Sequence, residues 1–513
     1  IGVKGGMVIL VADDPGPISS QTEQDTRHFG IFSKLPVFDP STPEEAFEMV
    51  LEAFELSEAY NIPVFLRPTT RVCHACASVT LPNEKVTNIP SGFEKDPKWV
   101  IFPPLSYKKH IELESKTTIL KDIFSYSNFN YVYNGDSEYS SRAIIASGVS
   151  FTYACEAADT LGCNVKIIKL GCAVPLPEKY LLCQLSGVKK VLITEELDPV
   201  IEDLLAKLKA KENLDIEISG KRTGALPYAG EYSVPLLQKV IAEFIPTFKD
   251  KIQPVNQLQI VSSPLPVRAP VLCAGCPHRA SFFAVKSAMN QLKKQATYSG
   301  DIGCYTLGNA KPLEMCDTCL CMGAGITIAQ GLEKVDKEKS HFAFIGDSTF
   351  FASGITGMVN ALYNKSKINI IILDNSTTAM TGHQPHPGTG KTMMGDVSEK
   401  INIEKVCLGC GVEFVKQCDP LELEKAIQTI KLADEFDGVS VIIFKSPCIA
   451  IVKSNNICMV EEKCTGCKKC TNSLGCPAIS FENGRAKINQ TLCTGCQLCS
   501  KVCPFNAISQ IEK

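Results

Sequence analysis

Eight cysteines between positions 464 and 503 stand in two groups: Cys464, Cys467, Cys470 and Cys476, then Cys493, Cys496, Cys499 and Cys503. Within each group the first three are three residues apart, and the fourth is followed by a proline, Pro477 or Pro504. Thiolates at that spacing wrap a tight loop around one face of an iron–sulfur cubane. The second group matches the C-x2-C-x2-C-x3-C-P run that holds a [4Fe–4S] cluster. The first group departs from it, with five residues rather than three before its last cysteine. Zinc is the competing reading, but structural zinc draws its four ligands from two separated pairs, which a triple run fits poorly.

Both groups open Cys-Thr-Gly-Cys, and each is followed by a short strand-like stretch, AISFENG and AISQIEK. This is similar to the pseudo-twofold repeat of two-cluster ferredoxins, in which the cysteine ahead of the proline reaches the other cluster. That likeness assigns Cys464, Cys467, Cys470 and Cys503 to one cluster, and Cys493, Cys496, Cys499 and Cys476 to the other.

A second constellation lies between His341 and Gly382. A strand-like run ending at Ile345 delivers Gly346 and Asp347. A helix is expected from about Gly354 to Tyr363, and a second strand, 368–373, delivers Asp374 and Asn375. One βαβ crossover puts Asp347 and Asn375 at the same sheet edge, the carboxyl end, where parallel α/β sheets bind ligands. Two hard oxygen donors there suit Mg2+, which is commonly held by a few protein oxygens together with phosphates. Gly346 permits close approach of a diphosphate to the backbone, and the Ser348-to-Gly354 turn can aim N–H groups at it. Gly-Asp-x, an interval, then Asn resembles the thiamine diphosphate motif. The resemblance implies that Asp347, Asn375 and the backbone carbonyl of Thr377 bind the metal. Ser348 stands where many members have Gly, and Asp374-Asn375 replaces the common Asn-Asn.

Other candidates carry plainer alternatives. His383 and His386 follow the metal-binding strand and are expected near the coenzyme's thiazolium, as catalytic groups that orient a substrate carboxylate or move a proton. The alternative is a loop histidine bonded to backbone. Cys273, Cys276, Cys304 and Cys448 make a set of four that could hold a third cluster. Cys316, Cys319 and Cys321 compete as ligands, and structural thiols are the alternative. Cys155, Cys163, Cys172 and Cys183 fall on core-like elements and are expected to pack. Turns explain Gly5, Gly6 and Gly30 better than phosphate loops do, and AKLKAKENLD (206–215) reads as a solvated helix end.

The elements that must position these residues fall into blocks. Residues 1–135 alternate apolar runs with helical stretches, as in MVILVA (7–12), read as a buried parallel strand, the amphipathic 44–60, and IPVFLRPTT (62–70). From 84 to 135 the chain is polar and reads as irregular structure with a linker helix. A second α/β block, 136–252, has strands at 142–149, 164–171 and 188–196 and a helix at 151–162. The Pro-rich stretch 251–270 reads as a connector. A third α/β block spans 270–452. The tail, 457–513, reads as a separate small domain held together by what its cysteines bind.

Composition narrows the class. The 513 residues are 45% hydrophobic and 21% charged, an ordinary globular balance, and the net charge of −3 gives no footprint for nucleic acid or an anionic membrane. No apolar run is long enough to span a bilayer, and no signal peptide is evident. With 25 cysteines in a long chain well supplied with core residues, a reducing, cytoplasmic compartment is expected rather than a disulfide framework. The opening just ahead of a core strand, without an initiator Met, reads as a truncated start.

VADDPG (11–16), LCAGCPHR (272–279), DTCLCMGAGIT (317–327), GDSTFF (346–351), LDNSTTAMTGHQPHPGTG (373–390) and the cysteine tail together resemble the alpha subunit of indolepyruvate:ferredoxin oxidoreductases, over essentially the whole chain. The resemblance implies a multidomain α/β fold. The remainder of a pyrimidine-binding thiamine domain comes first, then a transketolase C-terminal-like domain, a diphosphate-binding thiamine domain and a two-cluster ferredoxin-like domain. It implies oxidative decarboxylation of aryl 2-oxoacids such as indole-3-pyruvate with coenzyme A, giving acyl-CoA, CO2 and reduced ferredoxin, in anaerobic aromatic amino acid catabolism. Thiamine diphosphate, Mg2+ and two [4Fe–4S] clusters are the implied cofactors. A smaller beta subunit and ferredoxin are the implied partners. The glutamate that activates the coenzyme is expected upstream of residue 1. Related pyruvate oxidoreductases bind a proximal cluster through cysteines placed like 273, 276, 304 and 448. Another 2-oxoacid such as pyruvate stays open as substrate. A non-redox thiamine decarboxylase would have no use for the tail, and an electron-carrier subunit would have none for Asp347 and Asn375.

Overall fold

The computed structural model describes residues 1–17, 22–81, 92–136, 138–251, 269–452 and 454–512, so the connector expected at 251–270 lies almost wholly outside the described residues. The chain divides into two compact units, Ile1–Pro264 and Leu265–Lys513.

In the first unit the helix expected at 44–60 runs Pro43–Tyr60. Thr42 caps it by accepting the Glu45 N–H, Pro43 supplies its first turn, and Asn61 ends it in a left-handed conformation. Met49, Ala53 and Leu56 form its buried stripe. They cover a four-stranded sheet in the order Val8–Leu10, Val64–Leu66, Val37–Phe38, Cys172–Val174, parallel except for the last pair. The strand read as buried at 7–12 is short and lies at the sheet edge, which leaves Leu10 67% exposed. A 23-residue helix, Pro103–Ser125, lies in the stretch read as irregular structure with a linker helix, and buries Leu120 and Phe124.

A five-stranded sheet completes this unit: Val132–Tyr133, Lys166–Lys169, Arg142–Ala146, Lys190–Thr194, Glu217–Ser219, with only the first strand antiparallel to its neighbour. The strand expected to run to 149 stops at Ala146 because Gly148 turns the chain into the helix Gly148–Leu161. Cys163 and Cys172 are buried as expected, Cys155 is half-buried, and Cys183 is exposed on the short helix Glu178–Gln184. Gly30 is not a turn residue. It sits in the helix Arg27–Ser33, where a Cβ would lie 2.3 Å from Val37 Cγ2, so it serves close packing. Two buried arginines of this unit are paired with carboxylates. Arg27 pairs with Asp25 and Glu195, and Arg67 with Asp13 and Asp39.

The second unit is built on a five-stranded, wholly parallel sheet in the order Ala296–Ser299, Ser340–Gly346, Asn369–Asp374, Ser440–Lys445, Phe414–Cys418. Its central strands are largely apolar and buried along nearly their whole length, as a doubly covered parallel sheet requires. The helices Pro277–Leu292 and Leu423–Glu435 help build the hydrophobic cluster on one face, while Ala324–Val335 and Ile355–Tyr363 belong to the cluster on the other. The cysteine-rich tail lies in this same unit. Its two hairpin-like pairs, Asn456–Val460 with Ile508–Glu512 and Ile479–Glu482 with Arg485–Ile488, are antiparallel. Leu474, Leu498, Val502 and Ile508 of the tail share one continuous core with Leu272, Phe282 and Phe344 of the α/β block.

Candidate functional site

The register between the strands Ser340–Gly346 and Asn369–Asp374 sets Gly346 opposite Leu373, so both strands deliver their next residues at one sheet edge. Asp347 is 3% exposed, and Asn375 and Thr377 are also buried. The Asp347 carboxylate accepts backbone N–H bonds from Ser348 and Ser376, each at 2.9 Å. What reads in the sequence as a turn after Asp347 is the start of a helix, beginning at Asp347 itself and passing through a π-helical turn at Phe350–Gly354. Its free N–H groups and dipole therefore face the edge where an anion would sit. A Cβ on Gly346 would stand 2.6 Å from the Tyr305 ring, so only glycine fits beside it.

His278, Tyr305, Gly346, Asp347, Asn375 and Thr377 are among the residues lining one cleft at this edge. His278 is 3% exposed, and burial pushes its imidazole down to about 4, so the ring is neutral at pH 7. The Asn375 amide donates to His278 Nε2 at 3.3 Å, while Asn375 Oδ1 accepts the Thr377 N–H at 3.3 Å. Burial, followed by the neighbouring Asp347 charge, pushes the Asp374 carboxyl up. The half-exposed Lys445 stands 3.5 Å from it. Two buried carboxylates with so little matching positive charge, beside the Asn375 amide oxygen, suit a divalent cation.

The two sequence-predicted histidines lie apart from the cleft lining. His386 is buried behind Asp347, with Nε2 3.2 Å from Oδ2, close but out of line for a hydrogen bond. His383 is exposed and left-handed (φ 64°), its Nδ1 3.4 Å from Thr377 Oγ1. Sequence reasoning singled out neither His278 nor Asp301. Burial pushes the Asp301 carboxyl up to about 6, and it accepts the Gly323 N–H, tying the loop that carries Met322 to the cleft. Their only sequence signals were the Cys-Pro-His-Arg and Gly-Asp-Ile-Gly strings.

The tail holds two cavities. Cys464, Cys467, Cys470 and Cys503 line one. Cys476, Cys493, Cys496 and Cys499 line the other, joined by Cys458 and by Cys276 and Arg279 of the α/β block. Backbone N–H groups of Cys458 and Ala507 already point at Cys493 Sγ (3.2 Å) and Cys503 Sγ (3.3 Å), the contacts a thiolate ligand needs. Cysteines from both sequence groups meet in each cavity, and the residues present fit a thiolate-bound cluster in each. Cys304 lies within electrostatic range of Cys273 and Cys448, whereas Cys276 turns into the tail cavity. Cys316 and Cys319 interact with each other. Among the described residues no three His, Cys, Asp or Glu side chains converge tightly enough to hold a single ion.

Known proteins share these features. The C-terminal TPP binding domain of thiamine pyrophosphate enzymes matches residues 301–444, and a 4Fe-4S binding domain matches residues 486–509. Fold and family models thus define a thiamine pyrophosphate enzyme with an iron–sulfur module. The indolepyruvate oxidoreductase subunit IorA of Methanothermobacter marburgensis is 40% identical over 514 residues, covering 99% of this chain and 82% of that protein. Its counterpart in Archaeoglobus fulgidus is 40% identical over 522 residues, with 99% and 82% covered. That of Thermococcus kodakarensis is 40% identical over 552 residues, with 100% and 83% covered. The chain belongs to the IorA family of indolepyruvate oxidoreductase subunits. Among the described residues no helix is long and apolar enough to cross a membrane.

Proposed function

We propose that this chain carries out the ferredoxin-dependent oxidative decarboxylation of aryl 2-oxoacids, indole-3-pyruvate foremost, with coenzyme A as acyl acceptor and a smaller beta subunit as partner. The observation that carries it is the pairing of buried Asp347 and Asn375 at one sheet edge with two cysteine-lined cavities in the same compact unit. Thiamine diphosphate bound there would supply the carbanion chemistry of 2-oxoacid decarboxylation, and iron–sulfur clusters would supply one-electron acceptors.

The residues divide the work. Asp347 Oδ, the Asn375 amide oxygen and the Thr377 carbonyl hold Mg2+. The helix start at Asp347–Thr349 faces the diphosphate. Gly346 and Ser348 let the backbone approach it. His278, neutral and buried, takes the Asn375 N–H and so fixes the amide, whose oxygen accepts the Thr377 N–H and keeps a second lone pair for the metal. His386 backs Asp347 as a positioning residue. Cys464, Cys467, Cys470 and Cys503 bind one [4Fe–4S] cluster, and Cys476, Cys493, Cys496 and Cys499 bind the second.

The test is an anaerobic preparation of the complex, analysed for bound coenzyme, magnesium and iron and assayed with indolepyruvate, phenylpyruvate and pyruvate side by side. The expected result is reduction of ferredoxin that depends on coenzyme A and is fastest with the aryl substrates. Asp347→Ala should lose bound coenzyme by at least ~100-fold in affinity, since even indirect metal contacts cost ~10–100-fold. A clear preference for pyruvate would reject the aryl assignment, and an Asp347→Ala protein that keeps its coenzyme would reject the site.

A further inference from the structure

Among the described residues Arg279 is the only Lys, Arg, Asp or Glu lining the cavity framed by Cys476, Cys493, Cys496 and Cys499. It is 4% exposed. A guanidinium offers five N–H donors in a fixed fork. Four are taken by carbonyls: Nη1 donates to Leu474 O and to Gly475 O at 2.9 Å, and Nη2 donates to Leu272 O and to Cys273 O at 3.3 Å. The fifth, on Nε, is buried with no partner. No carboxylate pairs with this guanidinium among the described residues. Apart from Thr494, the rest of the lining is thiol or apolar, so among the described residues no anion answers the charge and no acceptor takes the last donor.

A cubane held by four thiolates answers both. It is anionic, more so when reduced, and its sulfurs accept hydrogen bonds. We infer that Arg279 donates its Nε–H to the cluster held by Cys476, Cys493, Cys496 and Cys499, and raises the reduction potential of that cluster by stabilising its more negative reduced state. This rests on the iron–sulfur reading of the tail. The placement is particular to this cavity. The second cavity has Lys468 as its charged lining residue, and that side chain is exposed, over the Phe481 ring. Arg279 also opens the same helix as His278, its neighbour in the coenzyme cleft, so one helix start serves both centres.

The experiment uses the anaerobic complex with iron and sulfide determined first, followed by a redox titration monitored by electron paramagnetic resonance. In Arg279→Gln, one cluster should become roughly tenfold harder to reduce, ~59 mV for a one-electron couple. The other cluster should not move, and Arg279→Lys should recover part of the shift. The displaced signal should be the one that disappears in Cys476→Ala. Should the Gln variant fail to assemble, the parent protein labelled with 15N-arginine decides: a 15N coupling to one reduced cluster supports the contact, and its absence overturns it. A full iron complement with unmoved potentials in Arg279→Gln overturns the role of Arg279 alone, whereas a tail without iron overturns the cluster reading beneath it.

Discussion

At the scale of single residues, the site depends on side chains whose burial fixes their protonation. His278 is neutral because burial disfavours its charged form, and its Nε2 accepts from Asn375. His278→Ala should therefore free the amide to rotate and weaken metal-dependent coenzyme binding by ~10–100-fold, measured by titration calorimetry with Mg2+. His278→Gln should recover part of this. A different carboxyl reports pH. Burial pushes Glu196 up from 4.5 to about 7. Between those values the folded state holds a proton that the unfolded chain has released, so this group's contribution to stability falls as pH rises through that window. Glu196→Gln, which can still accept the Tyr232 N–H, should gain about 3 kcal/mol at pH 8 and almost nothing at pH 4, seen as a rise in melting temperature of several degrees only at the higher pH. That Asp347 and Asn375 reach one sheet edge and that the eight tail cysteines gather in two cavities could be expected from their strict spacing. The place of His278 could not. A histidine that acts by holding an amide has no spacing of its own, and only the fold brings it to Asn375.

At the scale of elements, close approach decides more than propensity. A Cβ at Gly275, itself at φ 76°, would stand 1.9 Å from Thr494 Oγ1, in the loop between Cys493 and Cys496. Gly275→Ala should loosen that loop and deplete iron from one cluster while leaving the other loaded, as judged by iron content and by the paramagnetic spectrum of the reduced protein. Helices could be read from periodicity and central strands from unbroken apolar runs, as Pro43–Tyr60 and Asn369–Asp374 show. Periodicity does not report position within a sheet. The edge placement of Val8–Leu10 follows from which strand pairs with which, and Leu10 is bare for that reason. The helix start at Asp347 was hidden for a similar reason, since Gly-Asp-Ser suits a turn as well as a helix start.

At the scale of the whole molecule, the tail reads in sequence as self-contained, because it holds few large apolar residues. In the second unit those few apolar residues complete the core beneath the coenzyme sheet. Leu498, 2% exposed, is one of them, and Leu498→Ala should cost about 2–5 kcal/mol, lowering the melting temperature of the second unit as a whole rather than releasing the tail alone. That sharing has a practical corollary for protein engineers. Gly475 leaves no room for a methyl against Pro312, just as Gly275 leaves none against Thr494. A foreign ferredoxin grafted in place of this one would meet a socket cut to another shape. A working chimaera must carry the 272–279 and 311–313 segments across with the graft.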